Sequence, residues 1–134
     1  MRLEEVRIDQ DRLWRDLMEM AKIGATPKGG VARIALTDLD RQARDLFVSW
    51  CKAAGCEVRV DRIGNVIARR AGLDADRPPV MTGSHLDTQP LGGKFDGIYG
   101  VLAGLEVVRT LNDARIDTLA PIEVVVWKPK RGPS

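Results

Sequence analysis

This 134-residue sequence is short of histidine, cysteine, aromatic residues and long apolar runs, and each shortage narrows what the chain can be. Its one histidine, His85, is too little for a metal centre built on imidazole. A structural zinc takes about four protein ligands, and a catalytic one about three plus water. The two cysteines, Cys51 and Cys56, are spaced C-x4-C, which fits neither a redox C-x-x-C pair nor a zinc ribbon. Buried, reduced thiols are expected. Only six aromatics are available to stack on bases, and 21 Lys and Arg against 19 Asp and Glu give a net charge of +2. Nothing in that balance favours nucleic acid. No apolar run approaches the ~18 residues of a membrane span. The N-terminus, "MRLEEVRIDQDR", lacks the apolar stretch of a secretion signal, so a cytoplasmic setting is expected.

What is present is the patterning of one compact domain, with 44% hydrophobic and 30% charged residues. Leu13, Leu17 and Ala21, with Trp14 and Met18, predict an amphipathic helix from Asp9 to Ile23, with Asp9 as its cap and Gly24 as its stop. "GATPKGGVAR" is a loop; it is no phosphate-binding loop, because no Gly-Lys-Ser/Thr follows and no strand precedes it. Thr37 or Asp38 caps a second helix to about Ala54, with Leu39, Ala43, Phe47 and Trp50 on its buried face and Gly55 at its end. "CEVRVDRIGNVIARRAG" alternates around Gly64-Asn65 as a β-hairpin. "VMTGSH" is expected to be a short buried strand. Ile98, Val101, Leu102, Leu105 and Val108, widened by Val107, make a helical stripe with Arg109 on the polar side. "PIEVVVW" reads as a strand buried on both faces. The order implies an α/β fold with a mixed sheet.

The chemistry lies in "GSHLDTQPLGGKFDG", residues 83–97. A strand ending in His85 aims an imidazole out of a rigid scaffold. Asp87, two residues on, can face the other ring nitrogen and fix the tautomer, as a carboxylate often does behind a metal-bound histidine. Asp96 can bind one cation or bridge two lying ~3.5–4 Å apart. Gly92, Gly93 and Gly97 permit a sharp turn and close backbone approach. The same residues also admit a plainer role, with Asp96 capping the helix that begins near Ile98 and His85 a surface or hydrogen-bonded histidine. Spacing alone leaves both open.

"GSHLDTQPLGGKFDGIYGVLAGLEVV" resembles the metal-binding signature of the N-carbamoyl-L-amino-acid hydrolase, β-ureidopropionase and allantoate amidohydrolase branch of the dinuclear M20-type metallohydrolases. The likeness extends over roughly Asp9 to Trp127, through the GG-V-x-R stretch, the D-x-x-GN hairpin and "PIEVVVW". It implies the N-terminal part of a phosphorylase/hydrolase-like zinc-exopeptidase catalytic domain over residues 1–127. It also implies two divalent cations (Zn, Mn, Co or Ni), with His85 a ligand of one, Asp96 the bridge, and Asp87 the residue that orients His85. The implied reaction is hydrolysis of a linear amide C–N bond in a small N-carbamoyl amino acid or ureido substrate, by a homodimer.

The chain departs from the family where "PIEVVVW" would run into a Glu-Glu pair holding the general base and a metal ligand. Here it reads "KPKRGPS", residues 128–134. The later histidine ligands and the lid domain that dimerises have no counterpart, so at most a partial metal site is expected. The basic tail is read as the mark of a truncated or frameshifted, inactive product. The alternatives are an allantoate amidohydrolase or M20 peptidase/deacylase segment, and a non-catalytic α/β binding module.

Overall fold

A computed structural model describes residues 3–35, 37–88, 93, 95 and 97–128. Helix α1 spans Gln10–Ala21, α2 Asp38–Ala53 and α3 Ile98–Asp113; the strands are β1 Glu57–Val60, β2 Val66–Arg70, β3 Val80–Ser84 and β4 Ile122–Val126. The expected caps are in place. The Asp9 carboxylate accepts from Arg12 N, the Thr37 hydroxyl accepts from Asp40 N, and α2 stops before Gly55 at φ +84°. Each side-chain oxygen satisfies an otherwise unpaired N–H of a first helical turn.

The strands order as β1-β2-β4-β3. β1–β2 and β2–β4 are antiparallel and β3–β4 parallel, so the sheet is mixed, as the element order implies. Parallel neighbours need a crossover, and α3 supplies it. Helix α3 packs on β3 and β4, α2 on β1 and β2, and α1 on α3. The core between sheet and helices contains Leu17, Met20, Phe47, Leu102, Leu105, Val124 and Val126. Gly104 lets α3 approach closely, because a Cβ there would lie 2.9 Å from Thr82 Cγ2 and 3.1 Å from Val124 Cγ1. Both cysteines are free and buried.

Three expectations fail. "VMTGSH" is not a buried strand: β3 lies at the sheet edge, with Val80 63% and Met81 49% exposed. A short apolar run carries no record of which strand ends up outermost. Trp14 does not join the buried face of α1; it is exposed and meets Phe95 at 5.8 Å between ring centroids, the planes tilted by 49°. Val107 does not widen the core stripe of α3 but is exposed, while Glu106 beside it is fully buried. Polar partners displace the apolar neighbour there. Glu106 accepts Arg12 Nε at 2.8 Å and Nη2 at 2.7 Å, Asp9 N at 3.0 Å and the Thr110 hydroxyl at 2.9 Å.

β4 is buried on both faces as expected, yet it carries Glu123 inside. Arg69 from the neighbouring strand β2 and Arg59 from β1 beyond it reach Glu123 Oε2 at 3.3 and 3.1 Å. A buried carboxylate is tolerated when charge and hydrogen bonds are supplied together.

Candidate active site around His85

β3 ends at Ser84, and His85 to Thr88 follow directly from its carboxyl end. The site therefore lies where open α/β sheets place their ligands. The end of β4 is beside it, because Trp127 N donates to Ser84 O at 2.9 Å. Arg44 Nη1 donates to Gly64 O at 2.8 Å, and Lys128 N to Asn65 Oδ1 at 2.6 Å, so the hairpin turn fixes the path out of β4. Only Lys128 of the basic tail falls within the described residues.

The pair proposed from spacing is brought together. His85 Nδ1 lies 2.9 Å from Asp87 O and 3.4 Å from Asp87 Oδ1. A backbone carbonyl can only accept, so Nδ1 carries the proton and donates, leaving the Nε2 lone pair free. Asp87 is buried, whereas 41% of the His85 side chain is exposed. That is the arrangement of a ligand imidazole held from behind by its partner. The ring also lies against Gly97, the residue before α3, at φ +78°. A Cβ at Gly97 would collide with Cε1, Nε2 and Nδ1 of His85. Both the backbone conformation and the ring demand glycine.

Asp96, the expected bridging carboxylate, and Gly92 lie outside the described residues. Helix α3 does begin at Ile98, with Gly97 at its N-cap and no side-chain cap bond there. Among the described residues no three His, Cys, Asp or Glu converge to hold a metal ion. The described donor set thus fits one imidazole ligand with its orienting partner, and does not by itself complete a two-metal centre.

Spacing did not single out the residue that holds this segment in place. Arg33 is fully buried. Its Nε donates to Leu86 O at 2.7 Å, and Nη1 donates to Met20 O at 2.9 Å and Ile23 O at 2.8 Å. Its backbone N donates to Thr88 Oγ1 and its backbone O accepts from Thr88 N, both at 2.6 Å. The Thr88 hydroxyl donates onward to Val31 O at 3.1 Å. Burial pushes the guanidinium pKa down, while the nearby charges of Asp40 and Asp87 push it up. One signal was legible, namely a single cation inside the otherwise apolar run "VARIAL".

Relatives match nearly all of the chain. It is 54% identical over 129 residues to an N-carbamoyl-L-amino-acid amidohydrolase from Rhizobium meliloti, covering 96% of this chain and 31% of that enzyme. It is 35% identical over 120 residues to a ureidoglycolate hydrolase from Oryza sativa, covering 90% of the chain and 25% of the relative. Among solved structures, an amidase of the hydantoinase/carbamoylase family from Burkholderia multivorans superposes with TM-score 0.93 at 65% identity, over 96% of this chain and 31% of that one. Aminopeptidase PepT from Bacillus cereus shares the fold at TM-score 0.68 and 19% identity, over 89% of this chain and 36% of that one. No family model matches. In sequence and fold these 134 residues are similar to N-carbamoyl-L-amino-acid amidohydrolases and to amidases of the hydantoinase/carbamoylase family, and they span about 31% of the length of the relatives they match.

Proposed function

We propose that this chain carries part of the active site of a metal-dependent amidohydrolase that cleaves the linear amide C–N bond of N-carbamoyl-L-amino acids. The observation that carries the reading is the His85 ring, whose Nδ1 donates to Asp87 O, so that the proton sits on Nδ1 and Nε2 keeps its lone pair. His85 would hold one divalent cation through Nε2, Asp87 would orient it, and Asp96 would be the shared carboxylate of an M20-type pair of metals. Such cations, when bound, polarise the substrate carbonyl and activate water. The chain's own residues do the positioning. The Gly97 backbone leaves room for the ring, and Asp87 fixes its tautomer.

With one histidine in the sequence, the ligands are too few for two metal sites, and the 134 residues alone are inactive. Residues 1–127 would form part of a catalytic domain, and 128–134 stand outside the family pattern. A ureido substrate is the second reading, favoured by the likeness to ureidoglycolate hydrolase.

The test is a chimera in which residues 3–126 replace the matching stretch of the Rhizobium meliloti enzyme. Metal-dependent hydrolysis of N-carbamoyl amino acids is expected, with His85→Ala lowering it at least a hundredfold. A folded, metal-loaded chimera without turnover would overturn the functional reading. The isolated chain should show no turnover with Zn²⁺, Mn²⁺ or Co²⁺; turnover abolished by His85→Ala would sink the inactivity claim.

A further inference from the structure

Arg33 is a buried cation with an unusual set of acceptors. Its guanidinium donates to the main-chain carbonyls of Leu86, Met20 and Ile23, while Nη2 is buried with no hydrogen-bond partner among the described residues. Burying a guanidinium is expensive unless its donors are used for something that cannot be had more cheaply. Arg33 reaches both residues that flank Asp87: its guanidinium Nε donates to Leu86 O, while its backbone N–H and C=O pair with the hydroxyl and the N–H of Thr88. The other guanidinium bonds anchor it to carbonyls at the C-terminal end of α1, Met20 O and Ile23 O. A helix C-terminus exposes unpaired carbonyls and a partial negative charge, which suits a cation.

The consequence falls on the peptide between Leu86 and Thr88. With both neighbours fixed, the Asp87 carbonyl has one direction, toward His85 Nδ1 at 2.9 Å. Without that fixation the carbonyl can turn away, and the exposed ring is free to move its proton to Nε2, the nitrogen that a metal needs bare. We infer that Arg33 is a positioning residue: from inside the protein it sets the tautomer of His85 by clamping the two residues either side of Asp87. The inference touches neither substrate nor metal. It rests on the functional reading only in the use made of the free Nε2.

Because His85 is the only histidine, nitrogen-15 NMR of the whole chain reads its tautomer without ambiguity. Long-range couplings to the ring protons tell the two nitrogens apart. At alkaline pH, where an imidazole is neutral, the parent is expected to be protonated at Nδ1 and bare at Nε2. Arg33→Lys keeps a charge but not the fork of donors, and is expected to give a mixed population. Thr88→Val, which removes the hydroxyl contact, should shift the ring the same way by less. Glu106→Gln, which loosens the α1–α3 contact elsewhere, should leave the ring as in the parent, and this separates positioning from general destabilisation. Folded Arg33→Lys and Thr88→Val chains with the parental tautomer would overturn the inference. So would loss of the fold in both, since Arg33 would then support the whole chain rather than the ring. Zn²⁺ addition reports separately: a parent protonated at Nδ1 whose Nε2 resonance ignores Zn²⁺ would count against the metal-site reading and leave the role of Arg33 intact.

Discussion

Arg12 and Arg33 each tie α1 to a distant part of the chain, and they do so with acceptors of different kinds. Arg12, partly exposed, forks onto the fully buried Glu106 carboxylate and reaches Asp113 Oδ2 at 2.7 Å. These carboxylates push its pKa further up, against the opposing effect of burial. Arg33, fully buried, grips neutral carbonyls, and burial pushes its pKa down. The first contact joins two helices, and charge answers charge. The second joins a helix end to the segment carrying the candidate ligand, and main-chain dipoles do the work. A charge pair tolerates small displacements because the Coulomb term falls off slowly. Directed bonds to carbonyls do not, which is why the second arrangement can aim a ring.

The comparison breaks most readily at Arg33. Arg33→Met keeps an unbranched apolar stem and abandons the Leu86, Met20 and Ile23 carbonyls together. The expected loss is about 4 kcal/mol, since Leu86 O and Ile23 O lose this donor at ~1–3 kcal/mol each, while Met20 O keeps its bond from Ile23 N. Urea denaturation followed by circular dichroism measures it; a loss under about 1 kcal/mol would mean that the carbonyls find other partners.

Glu106→Gln sharpens the other half, at an expected cost of about 2 kcal/mol near neutral pH. Burial pushes the Glu106 carboxyl up, but bonds from Arg12, Asp9 N and Thr110 outweigh it and the net direction is down. A carboxyl with a depressed folded pKa contributes stability above its unfolded value, here about 4.5, and loses it as pH falls through the folded value. The gap between parent and Glu106→Gln should therefore narrow on acidification below that range. A gap that is flat or widening toward acid would show that the Arg12 contact is not what stabilises α1 against α3.

Gly97→Ala has the smallest expected effect on stability, about 1–2 kcal/mol for forcing a side chain into a left-handed conformation. Its effect on the site should exceed its effect on the fold, because the new methyl lands on the His85 ring. The His85 nitrogen-15 spectrum should change while the unfolding transition stays cooperative. An unchanged ring would show that Gly97 is required by the turn alone.

The local signals were legible wherever the outcome depended on neighbours in sequence. Asp9, Thr37 and Gly55 bound their helices. Ile98, Val101, Leu102, Leu105 and Val108 all go inside. Asp87 stands behind His85 because a two-residue separation at a strand end makes that contact almost automatic. Glu106 was hidden for the opposite reason. It stands four residues after Leu102, on the apolar stripe, and its partner Arg12 is 94 residues away. Nothing local announces a carboxylate that will be buried against a distant cation.

By itself, then, the sequence determined the helices, the hairpin, the α/β class and the H-x-D pair, because caps, periodicity and a two-residue spacing act within a few residues. Tertiary structure alone decided that β3 is an edge strand, that Trp14 and Val107 face outward, and that Glu106 and Glu123 are buried with arginine partners. It also decided that Arg33 lies behind the His85 segment. Each of these depends on which surfaces meet across long stretches of chain, and a buried charge goes where packing supplies its partners.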